Sequence, residues 1–197
     1  MNNIQSVCRI CRKYKTKLFL KGDRCNTPKC ALTKRPYGPG IHGQSRHRMT
    51  EYAIQLAEKQ KAKAIYSIRE KQFKNYYLMS VKSKSNTSEE LLRQLELRFD
   101  SIVYRLGFAS SRLEARQMIR HNKFLINNKK TNIPSYTLKA KDIIKPKNSK
   151  IKLVKTEIPV WLSFDKKQMT GEVIKLPERK EMPIDFSDQL IVEFYSR

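Results

Sequence analysis

Apolar and polar positions alternate with helical spacing between Ser110 and Asn128 (SSRLEARQMIRHNKFLINN). Ala115, Met118 and Ile119 share one side of a helix, whereas Arg112, Arg116 and Arg120, four residues apart, share another. Ser111 and Glu114 have the spacing of a capping box, so the helix is predicted to begin there. Asn122 suits a left-handed stop, and Phe124-Leu125-Ile126 is predicted to form a short strand turning at Asn127-Asn128. Upstream, Ala53, Leu56, Ala57, Ala64, Ile65 and Ile68 recur at three and four without Pro or Gly, predicting one kinked helix or two between Thr50 and Lys84. Its aromatic end, Phe73 to Met79, is assigned to the core. A polar break at 83–86 predicts a domain boundary. Thr87 with Glu90 opens a further helix that the pattern continues through Leu97–Leu106 to a stop at Gly107. Arg98 and Arg105 lie a heptad apart on it. Downstream, Ser135–Leu138, Ile143-Ile144, Ile151–Val154, Val160–Phe164 and Glu172–Leu176 have strand character, with a turn at 169–171. Trp161 and Phe164 are core candidates. Pro177 and Pro183 bracket an irregular loop before a last apolar run, Leu190–Tyr195. The pattern is that of an α+β protein whose sheet packs on two short helices.

Charge turns this scaffold toward a polyanion. The 197 residues include 42 Lys and Arg against 18 Asp and Glu, a net charge of +24 with pI near 10.1. Such a surplus repels itself unless neutralised, and nucleic acid is the commonest cellular polyanion. The first fifty residues contain one acid, Asp23, whereas the balance after residue 145 is nearly even. The polyanion is therefore expected against the earlier segments. With no apolar run near ~18 residues and no signal-peptide core at the amino terminus, the expected location is the cytoplasm and a membrane partner is not expected.

All four cysteines lie in the first thirty residues, as Cys8-x2-Cys11 and Cys25-x4-Cys30. This spacing suits one structural Zn2+ held by four thiolates, with two disulfides or four independent thiols as the alternatives. Arg9, Arg12, Lys13, Arg24 and Lys29 surround the cysteines, so the knuckle would also present positive charge. The following stretch, Lys34-Arg35-Pro36-Tyr37-Gly38-Pro39-Gly40-Ile41-His42-Gly43, cannot be helix or central strand. It is either a linker or a nucleic-acid-contacting arm, whose glycines let the backbone approach a phosphate while Tyr37 and His42 stack on bases between Arg35 and Arg46.

The segment LELRFDSIVYRLGFASSRLEARQMIRHNKFLINNKKTNIPSY resembles the S-four RNA-binding module almost residue by residue. The CRICRK…LKGDRCNTPKC knuckle, RPYGPGIHG, EKQFKNYY, LPERKEMP and LIVEFYSR extend the resemblance over nearly the whole chain, to the zinc-bearing bacterial S-four family of small-subunit ribosomal proteins. That family implies a zinc knuckle and basic arm at 1–44, a discontinuous helical domain of 45–87 plus 172–197 in which the tail returns to the earlier helices, and an inserted RNA-binding module at 88–171. In three places the chain departs from the family. His121-Asn122-Lys123 stands where it usually has His-Gly-His, and Asn128 and Lys141 replace common glycines. Asparagine tolerates positive φ, whereas Lys141 has no such excuse.

The resemblance implies a primary binder of small-subunit (16S) ribosomal RNA, docked on a multi-helix junction of its 5′ domain early in assembly. It further implies contact with the fifth small-subunit protein, a place near the messenger entry path and an influence on decoding accuracy. Recognition should be of phosphate and shape, because A-form RNA hides its major groove. The candidate contacts are Arg98, Arg105, Arg112, Arg116, Gln117, Arg120, His121, Lys123 and Asn127 in the module, with Arg9, Arg12, Lys13, Arg24, Arg35, Tyr37, His42, Arg46 and Arg48 before it. Two other classes compete: an RNA-modifying enzyme carrying the same module, and an RNA binder outside the ribosome. No convergent acid–base or nucleophile set supports catalysis, and no small-molecule substrate is expected.

Overall fold

A computed structural model describes residues 6–45, 48–148, 151, 153–154 and 156–197. The chain divides into two compact units, 1–70 with 185–197, and 71–184. These bounds differ from the domain limits expected from sequence, and particular backbone and side-chain bonds explain the difference.

In the first unit, helix α1 (Val7–Tyr14) and the short α2 (Ala31–Lys34) flank a single 3-10 turn at Gly22–Asn26. Helix α3 (Glu51–Tyr66) starts where Thr50 Oγ1 accepts from the Ala53 N–H and ends at Ser67, φ 51°. There the Ser67 and Ile68 N–H groups donate to the carbonyls of Ala64 and Lys63, closing the last turn in a Schellman motif. Helix α8 (Asp188–Ser196), the last apolar run, packs along α3. Tyr66 meets Phe186 edge-on, Tyr52 lies 5.6 Å from Phe194, and the buried Lys59 Nζ sits 4.1 Å from the Phe194 ring centre.

Helix α4 (Glu70–Val81) has its break from α3 at Ser67, so the stretch from 50 to 84 is two helices. Residues 71–81 of α4 belong to the second unit. Helix α5 (Thr87–Glu96) is capped by Asn86, whose Oδ1 accepts from the Ser88 N–H at 3.1 Å, one residue before the expected Thr87 cap. The predicted continuation into 97–106 is interrupted. Arg98 is extended (φ −64°, ψ 141°) and bridges to Thr137, after which α6 (Phe99–Arg105) begins. Tyr136 and Pro134 carbonyls accept from Phe99 and Asp100, and Leu138 donates to Leu97. Pro134 and the segment Ser135–Leu138, expected to form a strand, thus satisfy the backbone groups of an opened helix junction.

Gly107 takes φ +77° and ends this region as expected; a Cβ there would lie 2.7 Å from the Val154 carbonyl oxygen. Helix α7 (Arg112–Arg120) follows, then five antiparallel strands: β1 (Phe124–Ile126), β2 (Lys129–Lys130), β3 (Ile143–Pro146), β4 (Leu162–Asp165) and β5 (Thr170–Val173), in the order β2-β1-β3-β5-β4. The turn lies at 166–169, ending on Met169 (φ 53°), rather than at 169–171, because Thr170 and Gly171 already pair with Asp165 and Phe164. The expected strand at Glu172–Leu176 is therefore shifted toward the amino terminus. Of the expected strand at Ile151–Val154, Lys152 lies outside the described residues and the rest is irregular. Phe99, Phe108, Phe124, Ile119, Ile144 and Trp161 fill the core between α6, α7 and the sheet. Residues 172–184 stay in this unit, because β5 lies between β3 and β4 and Arg93 and Arg105 donate to the carbonyls of Pro177 and Pro183.

Candidate nucleic-acid interface

Helix α7 is fixed at both ends by local hydrogen bonds, most of which its sequence foretells. Ser111 Oγ accepts from the Glu114 N–H at 3.3 Å. Glu114 reaches back not to Ser111 but to the Ser110 N–H and Oγ, at 2.7 and 2.6 Å. At the far end Asn122 takes φ 53°. The Asn122 N–H donates to Ile119 and the Lys123 N–H to Met118, a Schellman closure. Asn127 and Asn128 (φ 48° and 64°) form the two-residue β1–β2 turn. Ala115 and Ile119 are buried, while Gln117, Arg120, His121 and Lys123 are exposed along the outer face and end of the helix.

The arginines are less alike than their spacing suggests. Arg120 is exposed, but Arg112 and Arg116 are half-buried and held by acids. Glu96 is wholly buried and accepts from Arg105 in two-point fashion (Nε 3.0 Å, Nη2 2.8 Å) and from Arg112 Nη2 at 3.1 Å. Arg112 also donates to Ser101 Oγ and lies 4.7 Å from the centre of the Tyr104 ring. Asp100, 1% exposed, accepts from Arg116 Nη2 at 2.8 Å and in two-point fashion from Arg98 (3.0 and 2.7 Å). Arg98 donates a third bond to Tyr76 Oη at 2.7 Å. Burial works against the Arg98 charge, but Asp100 and Tyr76 outweigh it and raise the guanidinium pKa. Arg98, expected on the RNA-facing surface, is instead 1% exposed and supports α6 from inside. Asn127, also expected as a contact, has its side-chain amide engaged: Nδ2 donates to Asp142 and Oδ1 accepts from the Ile143 N–H.

In the first unit, Cys11, Cys25 and Cys30 are buried and Cys8 half-buried, all four as free thiols. Burial pushes the Cys11 thiol up, and so does its proximity to Cys25, Cys8 and Cys30. Backbone N–H groups of Thr33 and Leu32, at the start of α2, push Cys30 down. Among the described residues no three His, Cys, Asp or Glu side chains stand as a formed metal-binding group. Arg12, another expected RNA contact, ties α1 to the Pro-Gly arm: Nε and Nη2 donate to the carbonyls of Tyr37 and Gly38 at 3.0 Å, and the guanidinium lies 5.1 Å from the centre of the Tyr37 ring. The arm folds back on itself through Gly38 N–H to Gly43 carbonyl, and a Cβ on Gly43 would lie 2.0 Å from the Gly38 oxygen. Arg9, Lys13, Arg24, Arg35, His42 and Arg48 are exposed and Tyr37 half-exposed; Arg46 lies outside the described residues.

Residues 2–96 match the family described as Ribosomal protein S4/S9 N-terminal domain, and residues 97–144 match the S4 domain. The small ribosomal subunit protein uS4 of Thermodesulfovibrio yellowstonii is 46% identical, over 98% of this chain and 97% of its own. The chain belongs to the uS4 family. Its relatives include uS4A of Alkaliphilus oremlandii, 48% identical over 98% of both chains, and uS4 of Caldicellulosiruptor saccharolyticus, 48% identical over 96% of both.

The limit between the two matched uS4 segments, at Glu96 and Leu97, falls on the opened α5–α6 junction. Sequence reading passed over Glu96, Asp100 and Tyr76. A signal was present: two acids four residues apart within a strongly apolar run, flanked by arginines, are costly to bury unless paired.

Proposed function

We propose that this protein is a structural, non-catalytic constituent of the small ribosomal subunit that binds its 16S ribosomal RNA. Membership of the uS4 family carries that reading. The cationic α7 edge supports it physically, since its exposed Arg120, His121 and Lys123 stand beside arginines held in fixed directions. Within the subunit, the reading places the protein at a multi-helix junction of the rRNA 5′ domain, early in assembly, with protein uS5 as a neighbour and an effect on decoding accuracy near the messenger entry path. No helix among the described residues is long and apolar enough to cross a membrane. The protein should co-sediment with small subunits and resist a high-salt wash; complete release by the wash would favour an RNA binder outside the ribosome.

The same reading includes one structural Zn2+ on Cys8, Cys11, Cys25 and Cys30. The support is a four-thiol donor set, its spacing, its burial and the mutual influence of the thiols. Bound there, the ion would supply cohesion that so basic a segment lacks. Metal analysis of natively purified protein should give one zinc per chain, lost in Cys25→Ser; a metal-free native protein contradicts the assignment.

A further inference from the structure

The two carboxylates of the α5–α6 junction, Glu96 and Asp100, are almost wholly buried, and each is shared by two guanidiniums. Burying a carboxylate costs several kcal/mol unless close cations and hydrogen bonds compensate. Here the compensation is divided between the α6 region, through Arg98 and Arg105, and α7, through Arg112 and Arg116. Glu96 holds Arg105 and Arg112 on one oxygen, Oε1, at 2.8 and 3.1 Å. Asp100 holds Arg98 and Arg116 on one oxygen, Oδ2, at 2.7 and 2.8 Å. Each acid thus fixes the direction of one α7 arginine, and the two arginines stand one helical turn, about 6 Å, apart. Arg112 is further restrained by Ser101 and the Tyr104 ring. Arg98 acts at one remove: its two-point grip and its bond to Tyr76 set the orientation of Asp100.

From this arrangement we infer that Glu96 and Asp100 are positioning residues for RNA, aiming Arg112 and Arg116 as a preformed pair toward successive phosphates. The inference deepens the reading of the protein as an rRNA binder and rests on it. Each acid with its two arginines keeps a net positive charge, so it can orient the guanidiniums and still leave the edge cationic. Without the carboxylate, two guanidiniums that now meet on a single oxygen repel each other and turn apart. Rigid donors lose less freedom on binding than mobile ones, so loss of aim weakens binding even as the protein becomes more positive.

That opposition of sign makes the test decisive. Glu96→Gln adds one positive charge to the formal +24. If only the summed field mattered, it would tighten binding and steepen the salt dependence. Positioning instead requires a loss of about five- to tenfold for a transcript of the small-subunit rRNA 5′ domain, the net scale of one lost hydrogen bond. The double variant Glu96→Gln/Arg112→Ala should lose less than the product of the two single losses, because the acid acts through the arginine. Thermal melts establish that each variant is folded at the assay temperature. Should Glu96→Gln fail to fold, Arg112→Lys keeps the charge and removes the planar fork, with the same loss expected. Unchanged or tighter binding by the folded variant tested, or multiplicative losses in the double variant, overturns the inference. Wild-type protein that does not bind the transcript overturns the rRNA-binding reading instead.

Discussion

Glu70 gathers three donors around one carboxylate: Lys59 Nζ at 2.9 Å, Lys63 Nζ at 2.6 Å and Tyr195 Oη at 2.7 Å. Burial works against its charge, but the hydrogen bonds from Lys63, Lys59 and Tyr195 outweigh it and bring the pKa from 4.5 down to about 2. A depressed acid contributes stability that is complete above its unfolded value and is lost as pH falls through its folded value. Tyr195 lies on α8 and Lys59 and Lys63 on α3, so the packing of α8 on α3 should be intact above pH 4.5 and loosen toward about pH 2. Hydrogen exchange of the α8 amides across that range checks it: Glu70→Gln should flatten the pH dependence, and an identical profile in the variant would contradict the role. The carboxylate is nearly half-exposed, so solvent screening keeps the effect small. Lys141 shows a backbone strain of another kind. Its φ of 72° is one that a lysine adopts at a cost, and nothing in the structure explains a lysine there.

Among the elements, β5 shows how little clearance the sheet has on α6. A Cβ at Gly171 would lie 2.3 Å from Leu106 Cδ1 and 2.9 Å from Cδ2. Gly171→Ala should therefore destabilise by about 1–3 kcal/mol through overpacking, read as a lower urea midpoint. Trimming the neighbour in Gly171→Ala/Leu106→Val should recover part of that loss; no recovery would place the strain elsewhere. Helix ends and turns were legible in the sequence at Gly107, Ser111, Asn122 and Asn127-Asn128, whereas the α5 cap was expected one residue late and the α3 stop at Ser67 was not foreseen. Nor was the α5–α6 break. Its backbone groups are satisfied by Pro134, Tyr136 and Leu138, more than thirty residues away, and the apolar pattern of Leu97–Leu106 reads straight through it. Strand ends slipped for a related reason. Gly171 looks like a turn residue until Leu106 is seen filling the place of its side chain.

Taken over the whole molecule, the excess of cations sorts into two kinds. Some are bound into the fold: Arg98 in the core, Arg12 on the Pro-Gly arm, Arg93 on α5 and on the Pro177 carbonyl. Others stay exposed, including Arg9, Lys13, Arg24, Arg35, Arg120 and Lys123. Charge counting and helical spacing revealed the cationic face of α7, and family resemblance implied an RNA-facing use for it. Neither could separate a structural arginine from a surface one, because that depends on acids brought together only by folding. On the reading proposed above α7 grips RNA phosphates, and Arg120 is its most exposed arginine. Binding of Arg120→Ala and wild-type protein to the small-subunit rRNA 5′ domain, measured over a range of salt, tests it directly. Each phosphate contact contributes close to one counterion, so the slope of log affinity against log salt should flatten by about 0.7–0.9 in the variant, with weaker binding at every salt concentration. An unchanged slope with unchanged affinity would make α7 an ordinary solvated helix.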